Sequence, residues 1–203
     1  MRSNRPSRRP RCPVRAQNED SAAIIGVSIS ISIGYEAPDF TLQDQHGQDV
    51  TLSEFRGRRA VLLVFYPFAF SGICSRELSV LRDEMDTFDN DEGSALLAVS
   101  CDPMYALRVF SERDRLHYPL LSDFWPHGDV SRSYGIFDQD RGCALRGTFL
   151  IDTSGVVRWQ IEKGLPNARD VGAYRAALAE LAARAGRENL HQQSGPASSA
   201  TPT

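Results

Sequence analysis

No run of apolar residues approaches the roughly 18 to 20 that a membrane-spanning helix requires, and no membrane partner is expected. Nor does either charge dominate: 23 Lys and Arg stand against 26 Asp and Glu, a net charge of −3. That balance supplies no electrostatic reason to expect nucleic acid or an anionic surface as a partner. Cysteine is sparse. Cys12, Cys74, Cys101 and Cys143 are widely spaced and form neither a dense disulfide framework nor a C-x-x-C pair for metal or dithiol chemistry. Such spacing favours a reducing compartment, and with it a cytoplasmic location. Histidine is equally sparse. His46, His117, His127 and His191 are scattered without ligand spacing, so no metal or other cofactor is expected.

What is present is an ordinary globular composition, 41% hydrophobic and 24% charged, in a chain of 203 residues. That length suits one well-filled domain with material left over at the ends. Arg2, Arg5, Arg8, Arg9, Arg11 and Arg15 crowd the start among prolines and serines, so residues 1–26 read as a disordered basic tail. The stretch Ala22 to Ile33 is short, broken by serines and preceded by Glu19 and Asp20, which argues against a signal peptide. A transit peptide would need a helical apolar face, and prolines interrupt the head. A start of translation near Val27 is a further reading of this head. Residues 187–203, rich in Gln, Ser, Gly, Pro, Ala and Thr, read as a low-complexity tail. One domain is expected between the tails, over 27–186.

Within it the periodicities change along the chain. Val27, Ile29, Ile31 and Ile33 alternate with serines and predict a strand. Asp44-Gln45-His46-Gly47 is a turn cluster that predicts a β-hairpin. Ala60 to Tyr66 and Ala95 to Ser100 are short apolar runs suited to buried strands. Leu78, Leu81, Met85 and Phe88 recur at helical spacing, predicting a helix from Ser71 to about Phe88. Asp102-Pro103 predicts the next helix, Asp as cap and Pro at its first position, with Ala106, Val109, Phe110 and Arg113 on one side. A short strand at Tyr118 to Leu121 and a brief helix at Val130 to Tyr134 follow. Ala144 to Ile151 and Val156 to Ile161 are strands joined by a turn at Asp152 to Gly155, and a last helix is expected from about Asp170 to Ala185. A βαβ unit feeding a ββα unit is the thioredoxin arrangement. The expected fold is therefore α/β, a mixed central sheet flanked by helices, with an N-terminal β-hairpin added.

Cys74 follows a buried strand and a proline-containing loop, and it falls in the first turn of the predicted helix. Unsatisfied N–H groups and the positive end of the helix dipole gather there, a setting that favours a thiolate nucleophile. A small buried core cysteine is the alternative. Ser71 lies three residues earlier, where its hydroxyl either caps the helix or holds a bound substrate. Pro67 either ends the strand or walls the thiol from water. Glu77, three residues beyond Cys74, either orients an arginine or is solvated. Arg146 interrupts an apolar strand, so it either reaches solvent or faces an anion.

Pro67-Phe-Ala-Phe-Ser71-Gly-Ile-Cys74 resembles the active-site signature of the peroxiredoxins, the AhpC/TSA superfamily: Pro, three residues, Thr or Ser, two residues, Cys. Ala37 to Leu42 looks like that family's entry segment and Arg146 to Asp152 like its arginine strand. Pro119 to Gly128 resembles the AhpE-type one-cysteine branch of actinobacteria. The resemblance implies that Cys74 is the peroxidatic cysteine, that Ser71 and Arg146 position the peroxide, and that Pro67 shields the site. Ser71 stands where Thr is commoner. The implied activity is reduction of hydrogen peroxide, organic hydroperoxides and peroxynitrite through a Cys74 sulfenic acid, with no cofactor, in a homodimer. Position 79, where one branch carries its resolving cysteine, is Ser79. That leaves Cys101 or Cys143 as internal resolving thiols, or an external thiol of mycothiol, mycoredoxin or thioredoxin type, which the resemblance favours. The competing class is a thioredoxin-fold redox-sensing or binding module without peroxidase turnover.

Overall fold

The run Val61–Phe65 (β3) is apolar at every position because both of its faces are covered. Val61, Leu63 and Phe65 point into one apolar cluster with Leu97, Val99, Tyr134 and Phe149. Leu62 and Val64 point into the opposite one with Cys74, Leu78, Leu96, Leu107 and Phe110. This is the period-2 alternation of a strand, hidden in the sequence because neither face meets water. The computed structural model describes residues 31–85 and 94–163, together with Ala176, Ala179 and Glu180, which are helical.

Before β3 come β1 (Thr41–Gln43) and β2 (Asp49–Thr51), the expected hairpin. Asp44 forms its turn by accepting the N–H groups of His46 at 2.7 Å and Gln48 at 2.9 Å. After β3 come α1 (Gly72–Met85), β4 (Ala95–Ser100), α2 (Met104–Asp114), β5 (Leu120–Ser122) and α3 (Asp129–Ser133). Then follow β6 (Phe137–Asp138), β7 (Cys143–Ala144), β8 (Arg146–Ile151) and β9 (Val157–Lys163). The main sheet has the order β2-β1-β5-β4-β3-β8-β9, while β6 and β7 form a separate ribbon. β3 runs parallel to β4, with Val61 opposite Ala95, and antiparallel to β8, with Leu63 opposite Phe149. The fold is α/β with a mixed sheet and a thioredoxin-like layout. No described helix is long and apolar enough to cross a membrane.

Six expectations need correction or fall outside the described residues. Ile31 to Ile33 is not a strand: Ile31 is buried, Ile33 is exposed, and the chain turns at Gly34 with φ 94. Its backbone is satisfied instead by the end of the β8–β9 turn, Gly34 N–H donating to the Val157 carbonyl at 2.8 Å. Residues 27–30 lie outside the described region. Asp102 does not cap α2; Pro103 occupies the cap position and no side chain serves it. The buried face of α2 is Leu107, Phe110 and Ser111, whereas Val109 is exposed, because the docking against α1 and the sheet selects a stripe rotated from the expected one. The strand expected over 144–151 is broken at Leu145, since β7 pairs with β6 while β8 pairs with β3. The helix from Ser71 is described to Met85, and Phe88 lies outside. The helix expected over 170–185 also lies outside, apart from the three helical residues named above.

Candidate active site

β3 ends where its last backbone bond, from Tyr66 N–H to the Val99 carbonyl, is made at 3.0 Å. Pro67, buried and without an N–H, cannot continue the ladder. The chain then turns through Phe70, a non-glycine residue at φ 63. A left-handed residue of this kind costs about 1–2 kcal/mol and persists only where its surroundings enforce it. The Phe70 ring packs on Phe110, with centroids 5.2 Å apart, and the Arg113 guanidinium stacks 4.9 Å above it. Arg113 also donates to the Ser75 hydroxyl at 2.9 Å, tying α2 to the residue after Cys74.

Ser71 occupies the cap of α1. Its Oγ accepts the Cys74 N–H at 3.3 Å, the bond a serine cap makes to the third helical position. Cys74 is fully buried on the inner stripe of α1, which continues through Glu77, Leu78 and Leu81 at helical spacing. Glu77 is buried as well and pairs with Arg146, which projects from the first position of β8. Two charges removed from water are tolerable when each neutralises the other. Cys74, Ser71, Glu77 and Arg146 thus come together where β3 and β8 meet the start of α1, and Pro67 lies on the loop leading in.

Two further thiols lie among the described residues, Cys101 just beyond β4 and Cys143 in β7. Cys101 continues the Leu97 and Val99 side of β4, facing Asp123, Ser131 and Ala144 across the sheet from α1. Burial pushes its thiol up to about 12, and the Asp123 carboxylate adds to the shift. Cys143, fully buried in β7, is also pushed up, by burial and by Asp138, with Cys74 near enough to contribute. Among the described residues no group of His, Cys, Asp and Glu could hold a metal. His46 and His117 are exposed, and His127 bonds the Gly142 carbonyl at 2.7 Å.

Two neighbours of this site carry no sequence motif. Tyr66 is fully buried with its hydroxyl beside Ser100 but in no hydrogen bond of good geometry, and burial holds its ionisation well above the tyrosine range. Asp102 accepts the Ala69 N–H at 2.8 Å. A signal for Asp102 existed: extending the alternation of Leu96, Ala98 and Ser100 by one step places it on the sheet face that carries Cys74. The Asp-Pro dipeptide concealed that by suggesting a cap.

The model of the AhpC/TSA family matches residues 33–160. Alkyl hydroperoxide reductase E of Mycobacterium tuberculosis (strain ATCC 25618 / H37Rv) is 48% identical over 153 residues, covering 75% of this chain and 99% of that protein. Thioredoxin peroxidase of Echinococcus granulosus is 37% identical over 149 residues, 68% of this chain and 75% of that one. Among solved structures, peroxidoxin BcpB from Mycobacterium tuberculosis superposes with a TM-score of 0.65 at 33% identity, over 75% of this chain and 97% of that chain. A family model spanning more than half of the sequence, and a relative matched over nearly its whole length, agree with the cap, thiol and arginine found at one end of the sheet: the chain belongs to the AhpC/TSA family, the peroxiredoxins.

Proposed function

We propose that the protein is a thiol-dependent peroxidase in which Cys74 is the peroxidatic residue. The observation that carries this is the position of its sulphur-bearing residue: buried, third in a helix capped by Ser71, with the Arg146–Glu77 pair on the next turn. Orphan N–H groups of the first turn and a guanidinium held by a buried carboxylate are donors suited to an anion. The Cys74 thiolate attacks one oxygen of the hydroperoxide, the O–O bond breaks, and the departing oxygen takes a proton to leave as water or an alcohol. Sulphur loses two electrons and becomes a sulfenic acid. Ser71 and Arg146 position the peroxide and Pro67 shields the site.

The sulfenic acid is reduced by an external thiol of mycothiol, mycoredoxin or thioredoxin type. That thiol condenses with it to a mixed disulfide, releasing water, and a second thiol frees Cys74. The placement of Cys101 across the sheet from α1 and the raised ionisation of both Cys101 and Cys143 support this route over an internal one. The working form is a homodimer in the cytoplasm, where burying the exposed Phe68, Phe70 and Ile73 of the Cys74 loop would remove apolar surface from water.

Stopped-flow oxidation of the reduced protein by a slight excess of hydrogen peroxide, with trapping of the sulfenic acid and intact mass, tests the reading. Rapid oxidation at Cys74, lost in Cys74→Ser, is the expected result. A wild type no faster than free cysteine would sink it, and oxidation without turnover by added thiols would favour the redox-sensing module. A disulfide mass joining Cys74 to Cys101 or Cys143 would overturn the external route alone.

A further inference from the structure

The segment from Tyr66 to Ser71 carries the chain from β3 into α1 and delivers the Ser71 cap to Cys74. Two of its backbone N–H groups reach the neighbouring strand and the turn that follows it. Tyr66 N–H donates to the Val99 carbonyl, and Ala69 N–H donates to Asp102 Oδ2 at 2.8 Å. Phe70, directly after Ala69, has the left-handed φ of 63. Asp102 is itself held from several sides. The Ser100 hydroxyl donates to the same Oδ2 at 2.9 Å, the Asp102 N–H donates back to Ser100 Oγ at 3.3 Å, and the Asp102 carbonyl accepts the Ser122 hydroxyl at 2.8 Å. Asp102, anchored to the end of β4 through its carboxylate and to the end of β5 through its backbone carbonyl, therefore holds the residue before the strained one and two before the helix cap.

We propose that Asp102 is a positioning residue for Cys74, holding the Ala69 amide so that Phe70 keeps its left-handed turn and Ser71 stays at the first turn of α1. The proposal rests on the peroxidase reading of Cys74. In-line attack on a peroxide requires the sulphur and its donors in register, and a misplacement of about 1 Å costs roughly 100-fold. Alkylation by iodoacetamide asks only for a reachable thiolate. Removing the carboxylate leaves the Ala69 N–H without its acceptor and lets Phe70 relax toward an ordinary backbone conformation.

The test compares Asp102→Ala and Asp102→Asn with wild type in three measurements: peroxide oxidation of Cys74, its alkylation by iodoacetamide, and hydrogen exchange of the 66–74 segment. Asp102→Ala should slow peroxide oxidation by roughly 10- to 100-fold without a matching fall in alkylation, and should speed exchange in the segment. Asp102→Asn keeps an oxygen acceptor and should stay within about threefold of wild type on all three. Equal slowing in both variants, no slowing in Asp102→Ala, or a parallel fall in alkylation would each overturn the assignment. Should Asp102→Ala melt below the assay temperature, Asp102→Leu takes its place. It fills the carboxylate's space but offers the Ala69 N–H no acceptor, and unchanged oxidation and exchange there would overturn the proposal. A wild type inert to peroxide would sink the peroxidase reading, while exchange would still decide the tether, since equal exchange in Ala and Asn variants denies it.

Discussion

Glu77 and Arg146 are the two buried charges of the site, so neither is removed cheaply. Arg146→Leu takes one partner out of this buried ion pair and should cost about 3–5 kcal/mol. Glu77→Gln removes the charge but keeps an acceptor for the guanidinium, and its cost should be the smaller; urea unfolding of both variants checks the order. Cys101 gives a pH signature. Its folded thiol ionises near 12 against an ordinary value of 9.0, so the folded state holds this proton more tightly than the unfolded chain does. The associated stability is whole below about pH 9 and drains away as pH rises from there toward 12. Unfolding free energies measured from pH 8 to 11 should therefore fall less steeply in Cys101→Ala than in wild type.

The first turn of α1 is where local stability and the proposed chemistry meet. Ser71→Ala removes the oxygen that accepts the Cys74 N–H and should cost about 1 kcal/mol. Ser71→Thr restores the hydroxyl and should recover the loss in the same unfolding experiment. If the oxygen also positions the peroxide, oxidation of Cys74 should follow the same order, slow in Ala and near wild type in Thr. The start of α2 shows the contrary case. Asp102 precedes a proline at a helix start, yet its carboxylate is engaged by Ala69 and Ser100, and the helix begins without a side-chain cap. A stronger tertiary use of the same side chain displaced the local one.

Across the whole molecule the sheet separates two apolar clusters, and only one of them contains Cys74. Adjacent residues of β3 therefore report on different halves of the core. Leu62→Ala and Leu63→Ala should each lose about 2–5 kcal/mol, since both side chains are fully buried. Oxidation of Cys74, measured well below either melting temperature, should slow in Leu62→Ala, whose cavity opens beneath α1 and α2, and remain near wild type in Leu63→Ala. Equal effects on oxidation would mean that the two clusters are not mechanically separate.

Most of this architecture is legible in the amino-acid sequence. The runs at Val61–Phe65 and Ala95–Ser100, the turns at Asp44 to Gly47 and Asp152 to Gly155, and the serine cap of α1 are written in neighbouring residues. Their causes, alternation, turn chemistry and capping, act over a few positions. The spacing of Ser71 and Cys74 belongs to the same class, as their meeting needs only one helical turn. Other features required the assembled fold. Asp102 meets Ala69 across 33 residues and Arg146 meets Glu77 across 69. Which stripe of α2 is buried and where the strand before Arg146 breaks depend on partners equally remote. Such choices are made when separate elements compete for one side chain or one backbone group, and that competition exists only once the elements are packed.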